Sequence, residues 1–256
     1  MKHGCADIQG TDATTGETSL VVGRDTFVTD LVDRMIAGQS VVIYAAPGIG
    51  KTTVLAATSE CLLRRGIPCA MTASTSHAID VTRALGSAYP GIASDLPQRI
   101  IRGRLRDAAQ ERPGALLLDH FQARGPAVKG VLRSLRGTGL GVVVAFDTFS
   151  ERDHAALRAM CLSSIELQVP PLARRHQRKL WLRWTHARGI SLSDADTDLV
   201  LDLAEGRPGY LTAMASLLAD RSRWNGSRPM VRACHVDVIA KLALSCVTPG
   251  MARDPR

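Results

Sequence analysis

Apolar residues at positions 27, 28, 31, 32, 35 and 36 recur at the spacing of one helical face, and Gly38 stops the pattern. The period then changes. Residues 41–45 form a short run that is apolar throughout, which predicts a buried strand. Residues 51–65 return to helical spacing and end at Gly66. A second strand is predicted at 68–72 and a helix at 77–85; residues 86–94 are rich in turn formers, and 96–109 read as a basic helix. The third strand, 115–119, is entered through Pro113-Gly114. A helix at 127–135, a fourth strand at 141–146, a helix at 153–161 and a fifth strand at 164–169 follow.

Strands without a polar face, alternating with helices, predict a parallel sheet covered on both sides. After Pro170-Pro171 no strand pattern is visible. Helical blocks at 174–188 and 194–205 are followed by Gly206-Arg207-Pro208-Gly209, and the helical pattern resumes at 210–219. The expected organisation is a flexible extension at 1–19, an α/β core at 20–171, a small all-helical unit at 172–220, and a tail at 221–256 with one helix at 234–244.

The strand–helix junction at 45–53 reads Ala-Ala-Pro-Gly-Ile-Gly-Lys-Thr-Thr. Between a strand and a helix, these residues make a phosphate-binding loop. Gly48 and Gly50 let the backbone turn its N–H groups toward an anion, and the following helix adds the positive end of its dipole. Lys51 can reach terminal phosphates and the Thr52 hydroxyl can ligate Mg²⁺. The motif begins with Ala45 where the strict form has glycine. The fold class expected is therefore α/β: a P-loop nucleoside triphosphatase with a five-stranded parallel sheet and a helical lid.

Further residues carry candidate chemistry. Asp119 ends an apolar strand, where ligands of parallel sheets bind, and can share Mg²⁺ with Thr52. His120 follows, where hydrolytic P-loop ATPases often place a glutamate; His120 or Gln122 can orient water, and slow hydrolysis is the consequence. Asp147 and Thr148 follow the fourth strand, expected between the P-loop strand and the Asp119 strand, where they can sense a γ-phosphate. Arg207 opens a lid helix and can reach back to the phosphates.

Formal net charge is +8 with a pI near 9.6, which favours an acidic partner such as nucleic acid. The six cysteines are scattered without a Cys-x-x-Cys pair, which argues against a zinc site or disulfide framework and for the cytosol. No apolar run has the length of a membrane span, and residues 1–18 lack the apolar segment of a secretory signal.

Together these segments resemble the AAA+ ATPases, in the branch of origin-recognition-type initiators, ATPase regulators of DNA transposition and STAND signalling ATPases. Val22-Gly23-Arg24-Asp25 resembles the box that contacts adenine, 45–52 the Walker A motif, 116–119 Walker B in part, 146–148 the sensor 1 position, and 206–211 the sensor 2 segment. The resemblance covers about residues 20–220. It implies ATP and Mg²⁺ as ligands, held by Gly23, Arg24, Ala46, Pro47, Gly48, Ile49, Gly50, Lys51, Thr52, Thr53 and Pro208. It also implies nucleotide-controlled assembly into homo-oligomers. His120 departs from the pattern, and the trans-acting arginine finger has only Arg152 and Arg158 as candidates.

Two basic segments are candidate DNA contacts. One holds Arg99, Arg102, Arg104 and Arg106; the other holds Arg174, Arg175, Arg178, Lys179, Arg183 and Arg188, interleaved with Trp181 and Trp184. Leu180, Trp181 and Trp184 fit better as the core of the lid, with the arginines as its solvated face. The roughly 35 residues after the lid are too few for an ordinary winged-helix module. The reading is a nucleotide-controlled regulator or loader acting on DNA with protein partners. The rival is a STAND-type switch that binds protein. A metabolite phosphotransferase is disfavoured by the Gly-Arg box and the Gly-Arg-Pro turn.

Overall fold

The computed structural model describes residues 21–73, 77–92, 96–121, 126–147, 155, 157 and 164–247. The extension at 1–19 lies outside them, as do Gln122, Thr148, Arg152, Arg158 and most of the 153–161 helix. The first half runs α1 (Asp25–Ile36), β1 (Ser40–Tyr44), α2 (Lys51–Arg64), β2 (Cys69–Thr72), α3 (Ala78–Ala88), α4 (Gln98–Glu111), β3 (Ala115–Leu118), α5 (Pro126–Ser134), β4 (Gly141–Phe146) and β5 (Ser164–Gln168).

The five strands form one parallel sheet in the order β2-β3-β4-β1-β5. Successive side chains point to opposite faces. Val42, Leu116, Leu118, Val142 and Val144 face α3, α4 and α5, whereas Val41, Ile43, Leu117, Val143 and Ala145 face α1 and α2. Both faces are covered, so β1, β3 and β4 carry no polar position inside the strand. The edge strand β5 is only half-buried and accommodates Glu166. α3 continues to Ala88, into the stretch read as turn-rich. Gly86 is buried within the helix and does not stop it.

The second half contains α6 (Arg174–Ala187), α7 (Asp194–Ala204), α8 (Pro208–Leu218), a 3₁₀ turn (Arg221–Arg223), β6 (Trp224–Asn225), β7 (Arg228–Pro229) and α9 (Val231–Val247). Trp181, Val200, Leu201, Tyr210, Leu211 and Met214 share one apolar cluster with Val231, Cys234 and Val238 of α9. α7 starts at Ser193, whose Oγ accepts from the Asp196 amide at 3.1 Å. α8 starts with Pro208 at its first position, where a missing N–H costs nothing. The antiparallel pair β6–β7 is a correction to the expectation of no strand after 171. Two residues per strand around Gly226 are too few to write a period into the sequence.

Candidate nucleotide site

The loop between β1 and α2 curls as its glycines require: Gly48 has φ +78° and Gly50, immediately before α2, has φ +98°. Ala45 is buried with Ile49 in the cluster under α1 and α2, so the departure from glycine at the first motif position fills core space. Ala46 is exposed and Pro47 half-exposed at the loop's outer edge, and Thr53 is exposed one turn into α2.

The Lys51 side chain is buried and lies back along the loop. Its ammonium donates to the Ala45 carbonyl at 2.7 Å and the Ala46 carbonyl at 3.4 Å, and pairs with Asp147 Oδ1 at 2.8 Å. β4 lies between β1 and β3, as expected, and so delivers Asp147 to the lysine. The Thr52 hydroxyl donates to Asp119 Oδ2 at 2.5 Å. Asp119 is 1% exposed, and its backbone amide donates to Thr72 O on β2, which anchors the β3 tip. His120 adopts φ +46°, a left-handed conformation rare for a residue with a Cβ. Its amide donates to Asp119 Oδ1 at 3.0 Å, and its ring nitrogens stand 3.8 Å from Asp119 and 3.7 Å from Asp147. Lys51, Thr52, Asp119, His120 and Asp147 thus form one cluster. Two oxygen donors in contact, Thr52 and Asp119, are the ligand type that Mg²⁺ takes, and the site suits it. Among the described residues no group of three or more His, Cys, Asp or Glu converges to hold a metal.

The helical unit closes onto the same loop. The Gly209 amide donates to Gly48 O at 2.8 Å, and a Cβ on Gly209 would lie 2.7 Å from Gly48 Cα. Pro208 approaches Gly50. Arg207 does not join the cluster. Its guanidinium donates to the carbonyls of Ala204 and Leu203, pairs with Glu205 at 3.1 Å, and sits 5.7 Å over the Tyr210 ring.

Gly23 and Arg24 sit at the head of α1 beside the loop. Arg24 is 4% exposed; one Nη donates to Pro170 O at 3.0 Å, and burial pushes its pKa down to about 10. The His176 ring of α6 packs directly on Gly23, whose φ of +73° and lack of a Cβ make the approach possible. His176, Pro170 and Gly209 were not legible as site residues. Their partners lie about 150 residues away in sequence, and although Gly209 falls in the sensor 2-like segment, nothing in that segment points to Gly48.

The two basic segments differ. On α4, Arg99, Arg104 and Arg106 are exposed while Arg102 is half-buried and donates to Gln98. On α6, Arg174 pairs with Asp198 and Asp202, and Arg178 with Asp194 and Asp198. Arg175 and Lys179 are exposed, and Trp181 is core.

No protein-family model matches the sequence, and no curated protein matches it. Solved structures do. The Aeropyrum pernix ORC1 protein in complex with DNA is similar at 17% identity and TM-score 0.58, over 87% of this chain and 66% of that one. A Walker-type ATPase of Pyrococcus abyssi is similar at 14% identity and TM-score 0.61, over 89% of this chain and 75% of that one. Domain III of the replication initiation protein DnaA of Thermotoga maritima is similar at 13% identity and TM-score 0.52, over 90% and 96%. This chain thus spans about two-thirds of the ORC1 protein. At these identities the likeness is one of fold.

Proposed function

We propose, from the AAA+ P-loop ATPase fold that this chain shares with its structural neighbours, that it binds ATP with Mg²⁺ and works as a nucleotide-controlled regulator or loader on DNA, together with protein partners. One observation carries the nucleotide reading: Lys51, Thr52, Asp119 and Asp147, from three separate strand ends, meet at a loop whose two glycines are both left-handed. In this reading the loop amides and Lys51 hold the phosphates, and Lys51 exchanges the Asp147 carboxylate for the γ-phosphate. Thr52 and Asp119 hold Mg²⁺. When bound, the ion draws charge from the phosphate oxygens. Asp147, released from Lys51, and His120 beside it are placed to orient water. With histidine where a glutamate is common, turnover is slow. Gly209 on Gly48 ties the lid to loop occupancy.

The DNA part rests on the net charge of +8 and on the exposed arginines of α4. The ORC1 neighbour is a DNA complex, which is a fact about that protein. One observation favours the second reading, a STAND-type switch bound to protein: the acidic residues of α7 neutralise Arg174 and Arg178, which shrinks the cationic surface.

The test is steady-state ATP hydrolysis with and without duplex DNA, with Lys51→Ala as the blank. Stimulation by DNA that vanishes with added salt supports the regulator. Tight ATP binding with no turnover in either condition sinks it and favours the switch.

A further inference from the structure

Among the described residues, Arg24 is a buried cation with no recorded anionic partner. It is 4% exposed, and among the described residues its recorded side-chain hydrogen bond goes to a neutral carbonyl, Pro170 O. Its Nε is buried with no partner. Charges are rarely buried unless paired, and an unmet guanidinium N–H in a closed site costs free energy. A missing anionic partner resolves both facts.

The position says which anion. If Gly50 carried a Cβ, its nearest neighbours would be Arg24 Nη1 at 3.4 Å, Thr53 Oγ1 at 3.8 Å and Pro208 Cγ at 3.9 Å. A guanidinium, a hydroxyl and the head of α8 thus converge at the N-terminus of α2, the positive end of that helix dipole. Lys51 is the next residue. The guanidinium, a hydroxyl able to donate and the positive pole of the helix together suit a phosphate group.

The other side of Arg24 reaches the connection into the helical unit. Pro170 precedes Leu172, whose amide donates to Gly206 O at 2.9 Å. Gly206 is packed so closely that a Cβ would stand 2.5 Å from Pro171. The linker and the turn before α8 are therefore joined by a hydrogen bond and close packing. One planar guanidinium spans the phosphate loop and this linker.

Resting on the nucleotide reading above, we propose that Arg24 is a phosphate-positioning residue that couples loop occupancy to the lid linker, dividing its donors between a nucleotide phosphate at Gly50 and the Pro170 carbonyl. The resemblance to the family's base-contacting box assigns this arginine to adenine; the geometry assigns it to phosphate and linker.

All three tryptophans, Trp181, Trp184 and Trp224, lie beyond the linker, so selectively excited tryptophan emission of the full chain reports on the part beyond the linker alone. Calorimetric ATP titration and tryptophan emission are followed for the wild type, Arg24→Gln and Arg24→Lys. In the wild type, ATP and tripolyphosphate shift the emission in the same direction, and adenosine does not. Arg24→Gln binds ATP about tenfold more weakly, as expected for one charge-assisted hydrogen bond, and at saturation its emission stays still. Arg24→Lys regains affinity but not the shift, because a single ammonium cannot span both sites. A merely structural arginine would lower the melting temperature and leave the saturated shift intact, and that result overturns the proposal. So does a shift produced by adenosine. If neither variant folds, the wild-type contrast of tripolyphosphate with adenosine decides alone. ATP binding without any emission shift sinks the coupling only; absence of ATP binding sinks the nucleotide reading as well.

Discussion

At the scale of single residues, two positions separate folding from chemistry. Gly23 combines a left-handed backbone with the His176 ring, whose Nδ1 would lie 2.1 Å from an added Cβ. Gly23→Ala therefore has both strain and a clash to relieve, and should cost about 1–3 kcal/mol of stability, read as a lower denaturation midpoint. Asp119 is the contrasting case. It is buried, but Thr52 and the His120 amide satisfy its two oxygens, so Asp119→Asn keeps the shape and removes the charge. The expected outcome is near-normal stability, loss of the Mg²⁺ dependence of ATP binding, and turnover lower by about 10²-fold. ATP titrations with and without Mg²⁺ check it. The motif glycines, Lys51 and Asp119 were legible from spacing alone. The Asp147–Lys51 pair was half legible: the strand order placed Asp147 near the loop, but the direct 2.8 Å contact required coordinates.

At the scale of elements, α6 shows how one helix serves two purposes. Trp181 is 1% exposed among Tyr210, Leu211 and Val200, and is the largest buried side chain of its cluster. Trp181→Ala should cost about 3–5 kcal/mol by leaving a cavity that rigid helix backbones cannot fill. Near-wild-type thermal stability would contradict the role given to α6. The two arginines that face α7 make ion pairs among exposed partners, worth about 0–1 kcal/mol each, and they orient the helices more than they stabilise them. The density of basic residues along α6 was plain in the sequence. Which of them had acidic partners was not, because Asp194, Asp198 and Asp202 belong to the next helix and the pairing depends on how two helices cross. The left-handed Glu205 and Gly206 form the corner that turns the chain from α7 into α8.

At the scale of the molecule, the charge of +8 bears on partners, not on the fold. If DNA is the partner, binding should fall steeply as salt rises. Replacing Arg99, Arg104 and Arg106 together by alanine should weaken DNA-stimulated ATPase activity while leaving basal hydrolysis unchanged, and should flatten the salt slope by about three charges' worth. Equal salt slopes for the two proteins would exclude α4 as the contact. Among the described residues, no helix is long and apolar enough to cross a membrane.

The sequence alone determined the parallel sheet, since strands buried on both faces must be apolar at every position, and it determined the phosphate loop, since a left-handed turn before a helix needs glycine at set places. Both are local demands, satisfied within one strand, one turn or one helix. Only the tertiary structure decided that Gly209 seats on Gly48, that His176 covers Gly23, and that Arg24 holds the Pro170 carbonyl. Each of these joins residues about 150 apart, and at least one partner in each is a backbone atom or a glycine's missing side chain. A backbone carbonyl or amide is offered by nearly every residue, so the partner of such a contact leaves no mark in the chain.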